Sequence, residues 1–272
     1  MMATGLGLGM WTATLRGKRD GLTSDDISNI FFWIIISGIV GAKLLYVVDY
    51  YFHHSGPNAL PLSKLLFQRA GLVFQGALVA SAIAVVLYVR RKKLPLWKTL
   101  DVLAPSIALG YFFGRLGCFM SGCCHGSECG FGDHYHSISG GLFPGGEVVS
   151  GHSFPWIALV FKKGGLGSIH DVPLYPTQLM EALSGLTIYL SLAWLHKNRR
   201  FPGQVFVAYA IAYSALRFAI EFMRGDKIPR FLGEAVTQGQ IISVLLVGGG
   251  IYFWWRLSQQ TSKDEPDPET AP

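Results

Sequence analysis

The sequence predicts an all-α protein, a polytopic membrane helix bundle of about seven transmembrane helices. Half of the 272 residues are hydrophobic and only 15% are charged, too few charges to cover the surface of a soluble domain of this size. Apolar stretches of roughly 17–25 residues, the length a helix needs to cross about 30 Å of hydrocarbon, also recur along the chain. They fall at residues 27–50, 71–89, 100–120, 177–196, 205–223 and 239–255. Residues 1–15 suggest the seventh. That stretch has a short apolar run, no basic residues before it and no small-residue cleavage site after it, so it reads as a shortened spanning helix rather than a signal peptide.

Basic residues orient the bundle, because Lys and Arg on short loops stay cytoplasmic. Thirteen fall on one side: Arg16, Lys18, Arg19, Arg90, Arg91, Lys92, Lys93, Lys98, Lys197, Arg199, Arg200, Arg256 and Lys263. Seven fall on the other: Lys64, Arg69, Lys162, Lys163, Arg224, Lys227 and Arg230. The N-terminus is therefore expected outside and the C-terminus in the cytoplasm. The net charge of +6 belongs to this cytoplasmic collar, which selects anionic membrane lipids rather than nucleic acid as its neighbour. Residues 1–257 are expected to form one transmembrane domain, with the long 121–175 connection outside. Residues 258–272, rich in Pro and acidic side chains, are expected to be a disordered tail.

Within the spans, charge is costly and therefore informative. Tyr213, Arg217 and Glu221 are spaced by four and Arg224 follows three later, so they share one helix face. The plain structural reading is an Arg217–Glu221 pair that satisfies itself. Arg115 stands in a glycine-rich run that includes Gly114, Gly117, Gly122 and Gly126, where a backbone or a ligand can approach closely. Alone it reads as an interfacial anchor; together with Arg217 from another helix it reads as a phosphate clamp, since paired guanidinium donors grip phosphate oxygens. Gln75 is the one polar side chain in the apolar run 70–77 and reads as interhelical glue. Cys118, Cys123, Cys124 and Cys129 lie within twelve residues, a spacing open to a disulfide, to thiols or to a metal, but without the paired half-sites of structural zinc.

These residues add up to a resemblance. Gly114, Arg115, Gly117, Phe119, Gly122 and Gly126 match the prolipoprotein diacylglyceryl transferase signature G-R-x-G-N-F-x-N-G-E-x-x-G. Residues 41–47 resemble that family's G-A-R-L-x-Y-V, residues 70–77 its G-G-L-x-F-H-G-G and residues 175–182 its H/Y-P-S/T-Q-L-Y-E-A. Residues 217–224 are similar to R-F-x-x-E-F-x-R and residues 239–243 to G-Q-x-L-S, so the blocks are colinear over nearly the whole chain. Gln75 stands where the family has a histidine, and Cys118, Ser121 and Cys123 stand where it has Asn, Asn and Glu.

The resemblance implies a multi-pass enzyme of the bacterial cytoplasmic (inner) membrane that needs no cofactor and no metal. Its substrates are phosphatidylglycerol and a prolipoprotein whose signal peptide ends in a lipobox, and the diacylglyceryl group passes to the lipobox cysteine. Arg115, Arg217, Glu221, Gln75 and Tyr213 are then the catalytic candidates. Arg115, Arg217, Arg224, Gly114, Gly117, Tyr175 and Gln178 are the substrate-binding candidates. The alternative is a lipid- or lipoprotein-binding membrane protein that keeps the scaffold without the chemistry, because Gln cannot accept a proton usefully near neutral pH.

The charge asymmetry makes a direct prediction. In intact cells, a membrane-impermeant maleimide labels Lys163→Cys and leaves Lys93→Cys unlabelled; the reverse pattern inverts the orientation.

Overall fold

A chain in hydrocarbon must pair its backbone N–H and C=O groups with each other, and a helix does so within one segment. The computed structural model follows that constraint. It describes residues 1–53, 60–68, 71–127, 136–137, 146–150, 157–161, 173–223, 230–231 and 236–264. The helices are α1 (Met2–Arg19), α2 (Ser24–His53), α3 (Leu62–Phe67), α4 (Phe74–Arg91), α5 (Leu96–Ser121), α6 (Thr177–Lys197), α7 (Gln204–Glu221) and α8 (Gln238–Asp264).

Four of them are long and apolar enough to cross a membrane among the described residues: α2, α4, α5 and the Gly239–Gln260 part of α8. Each of the other expected spans is also a helix of at least 18 residues. They are more polar, α6 through Gln178, Glu181, His196 and Lys197, and α7 through Gln204, Arg217 and Glu221. The expected boundaries shift for local reasons. Gly71 has φ +84 and Val73 is extended, its N–H donating to the Ala42 carbonyl, so α4 begins at Phe74 rather than residue 71. α8 continues through Asp264 into the segment expected to be a tail, and residues 265–272 lie outside the described residues.

Short strands accompany the helices. β1 (His136–Ser137), β2 (Gly146–Ser150) and β3 (Ile157–Phe161) form an antiparallel sheet in that order, inside the connection read from sequence as a loop. β4 (Arg230–Phe231) and β5 (Val236–Thr237) pair with each other.

The chain divides into two compact units: Thr12–Thr99, and Met1–Trp11 with Leu100–Pro272. In Thr12–Thr99, Gly21 turns the chain at φ +79, and α2 then opens on a reciprocal cap. The Asp26 N–H donates to Thr23 Oγ1 at 3.1 Å, and the Thr23 N–H donates to Asp26 Oδ2 at 3.4 Å. α2 and α4 touch backbone to backbone. A side chain on Gly41 would collide with Ala80 and the Gly76 carbonyl, and one on Gly76 with the Gly41 carbonyl. Small residues at such a crossing let helices associate where hydrocarbon supplies no hydrophobic drive.

In the other unit, α5, α6 and α7 share a core of Ala104, Ala108, Leu192 and Val205. Toward the far end of α5, Phe119 packs with Leu159 of β3 and with Leu174, which pair as an isolated β-bridge just before α6. The start of α7 has a capping problem, because its N-cap is Gly203 at φ +95, with no side chain to accept from the first N–H groups. The buried Asp101 of α5 solves it. Its Oδ2 accepts from Gly203 N–H at 2.7 Å and its Oδ1 from Phe206 N–H at 2.9 Å, with Arg199 3.6 Å away. Both oxygens are used, so a buried carboxylate that would be prohibitive alone becomes a tertiary cap.

Asp101→Asn leaves one acceptor for two donors and Asp101→Ala leaves none. The expected losses are about 1 and about 2 kcal/mol, in that order, measured by unfolding in detergent micelles.

Candidate active site

Three helices bring the site's charges together. Glu181 lies one turn into α6, after Pro176 and Thr177 have started that helix, and its carboxylate is 1% exposed. A carboxylate that dry must be met by cations or donors. It is met twice. Arg115 Nε of α5 lies 2.8 Å from Glu181 Oε2, and Arg217 Nη1 of α7 donates to Glu181 Oε1 at 3.3 Å. Arg217 also reaches Glu221 Oε2, one turn along its own helix, through Nη2 at 2.9 Å. The chain Arg115–Glu181–Arg217–Glu221 thus holds two guanidiniums and two carboxylates and is formally neutral.

Glycines set the spacing. A Cβ on Gly185 would stand 2.9 Å from Tyr111 Cδ1 and 3.3 Å from Phe112 N, so α5 and α6 cross closely one turn away from the Arg115–Glu181 pair. On the far side, Gly239 at the start of α8 lies against Glu221, where a Cβ would fall 3.0 Å from Oε1. An aromatic floor completes the cluster. The Arg115 guanidinium sits over the Tyr111 ring at 5.1 Å, and Tyr111 meets Tyr213 edge-on at 5.3 Å, with Tyr209 stacked on Tyr213 at 5.8 Å. Arg115 and Arg217 keep side-chain exposures of 16% and 20% while Glu181 and Glu221 keep 1% each. The carboxylates are the buried members of the network and the arginines the more exposed ones.

The remaining candidates divide by what they touch. Gly114 has nothing within 4 Å of where a Cβ would stand, which leaves space beside Arg115, and Gly117 makes only an ordinary 3.6 Å approach to Met1. Gln178 is fully buried and donates from Nε2 to the Cys123 carbonyl at 2.9 Å. The Tyr175 carbonyl accepts from Gly126 N–H at 3.1 Å, and Tyr175 N–H donates to the Ser127 carbonyl at 2.9 Å. Tyr175 and Gln178 therefore fasten the 123–127 turn to the start of α6. Gly126 is required there, since a Cβ would strike Tyr175 and the Met223 carbonyl. Arg224 lies outside the described residues. Gln75 is exposed at the second position of α4, in the Thr12–Thr99 unit.

Sequence reasoning missed Glu181. The signal was available, because it is an acidic residue inside a predicted span and obeys the same rule that singled out Arg217 and Glu221.

With this geometry in hand, comparison with known proteins is decisive. The family model for prolipoprotein diacylglyceryl transferase matches residues 1–256. The chain belongs to that family. Among its relatives, phosphatidylglycerol--prolipoprotein diacylglyceryl transferase of Clostridium tetani is 32% identical over 93% of this chain and 90% of its own length. The protein named phosphatidylglycerol--prolipoprotein diacylglyceryl transferase 2 in Clostridium perfringens is 29% identical over 92% and 87%, and the Campylobacter hominis transferase 29% over 97% and 88%. In this prolipoprotein diacylglyceryl transferase family member, the described signature residues from Gly114 to Gly126 run from the clamp helix into the turn that α6 holds.

The network orders the charges by consequence. Glu181→Gln keeps the shape but leaves two guanidiniums sharing a neutral amide, and is expected to cost about 3 kcal/mol in detergent unfolding. Glu221→Gln affects one arginine and costs less; an equal loss in both variants would remove Glu181 from its bridging role.

Proposed function

We propose that this protein transfers the diacylglyceryl group of phosphatidylglycerol to the lipobox cysteine thiol of a secreted prolipoprotein. Family membership over residues 1–256 and the names of the relatives support the reaction. The observation in the site that carries it is the sharing of Glu181 by Arg115 and Arg217, two arginines from different helices.

The chemistry suits such a pair. The cysteine sulfur forms a bond to the glyceryl carbon, that carbon's bond to the phosphate oxygen breaks, the thiol gives up its proton, and glycerol phosphate leaves with the electron pair. A phosphodiester carries one negative charge and the departing monoester gains a second, so the barrier falls when donors are aimed where that charge develops. In this reading Arg115 and Arg217 supply those donors. Glu181 and Glu221 hold their guanidinium planes. A thiol with an ordinary pKa near 8.5 is already a few per cent thiolate at neutral pH, so Gln75 in place of histidine slows sulfur activation without forbidding it.

The membrane arrangement belongs to the same proposal: α1, α6 and α7 join the four apolar helices as spans of a multi-pass inner-membrane protein. The thirteen-to-seven distribution of basic residues favours an outside N-terminus, a cytoplasmic C-terminus and an outer 121–175 connection. Gln75 favours one second reading, a protein that binds lipid or prolipoprotein without transfer.

The two readings part in one experiment. Purified protein in phosphatidylglycerol vesicles is given a lipobox peptide, and thioether-linked lipopeptide and glycerol phosphate are measured. Transfer is expected, with Arg115→Ala and Arg217→Ala each lowering turnover by about 10²-fold or more and Arg→Lys restoring little. Peptide or lipid binding with no product selects the second reading, and full turnover in either alanine variant removes that arginine from the chemistry.

A further inference from the structure

One cluster of reactive side chains lies next to the clamp and has no part in the proposed transfer. Cys118 sits in the last turn of α5, and the chain then reverses through Gly122 at φ +67 and Cys124 at φ +60. Left-handed backbone is free for Gly but unfavourable for Cys, so the turn is held there by its surroundings. The holding contacts are specific: Gly122 N–H to the Phe119 carbonyl, Cys123 N–H to the Cys118 carbonyl, Gln178 to the Cys123 carbonyl, and Thr177 Oγ1 to the Cys124 carbonyl. The result is convergence. The Sγ atoms of Cys118, Cys123 and Cys124 all lie within 4.8 Å of one another.

We propose that Cys118, Cys123 and Cys124 form a three-thiolate binding site for a soft d10 metal ion, Cu(I) or Zn(II).

The argument is one of donor chemistry and preorganisation. Three sulfurs around one ion at the usual metal–sulfur distance of about 2.3 Å stand about 3.8 Å apart, which is inside the 4.8 Å within which these sulfurs already lie. Thiolate sulfur selects soft cations over magnesium or calcium. Crowded thiols resist ionisation unless a cation compensates them. Ion binding displaces up to three protons, one from each sulfur, and forms three metal–sulfur bonds with no change of oxidation state. Among the described residues the converging set is these three sulfurs; His125 does not belong to it, and its Nδ1 lies 3.0 Å from the Gly126 carbonyl. Cys123, the exposed member, gives the ion a way in.

The test uses full-length protein, reduced with a phosphine in detergent under nitrogen and titrated separately with Zn(II) and with Cu(I) against chromophoric chelators. One equivalent of at least one ion is expected to bind. Its apparent affinity should rise by more than about tenfold per pH unit between pH 6 and 8, as thiol protons are displaced. Cys118→Ser, Cys123→Ser and Cys124→Ser should each weaken binding by about 10²-fold or more, with circular dichroism unchanged. Should a serine variant misfold, the unmodified protein still decides: bound ion must shield Cys118, Cys123 and Cys124 from alkylation, read by peptide mass spectrometry. No stoichiometric binding of either ion, or alkylation of the three cysteines at the same rate with and without it, overturns the site. Binding that disappears in Cys129→Ser also overturns the three-thiolate assignment.

Discussion

A carboxylate at 1% exposure between three helices is the constraint on which the rest of this site depends. Removing Glu181 from water costs several kcal/mol unless cations meet it, and the fold supplies Arg115 from α5 and Arg217 from α7. Arg115 is held through Nε, and Arg217 through both Nη1 and Nη2. In the proposed transfer, two cations held this way are already together when the anionic substrate arrives. Glu221 extends the same logic by one turn.

Charge fixes the residues in place, but small side chains decide whether the helices come close enough for the charges to meet. Gly185 against Tyr111 and Phe112 brings α5 to α6, and Gly239 lets the start of α8 lie on Glu221. Asp101 does the corresponding work near the other end of α5, where it caps α7 across a distance of about a hundred residues in sequence. The core of Ala104, Ala108, Leu192 and Val205 lies along α5 between Asp101 and Arg115. A helix pinned at both ends by polar contacts and packed between them holds its arginine in one place.

The departures from the family pattern fall into two groups. Cys118 and Cys123 replace polar family residues next to the clamp, and with Cys124 they converge on a turn whose carbonyls are gripped by Gln178 and Thr177. Gln75 is a different matter, an exposed amide at the start of α4 where a histidine is usual. The first group changes what can bind beside the site. The second replaces a side chain that can accept a proton near neutral pH with one that cannot.

The sequence by itself determined the helical class, because hydrophobic run length and backbone hydrogen bonding in hydrocarbon leave few alternatives. Every expected span is a helix among the described residues, and Arg115, Arg217 and Glu221 were legible as costly charges inside them. The i,i+4 pairing of Arg217 with Glu221 was legible too, since helix periodicity alone puts them on one face. Only the tertiary structure decided that Glu181 joins the two arginines, that Asp101 caps α7, and that Gln178 bonds the 123–127 turn. These contacts link residues 36 to 105 positions apart. Periodicity fixes a side chain's direction around its own helix axis, but which neighbour it meets depends on the height and distance at which helices cross. That depends on glycine contacts such as Gly185 on Phe112, which no local pattern encodes.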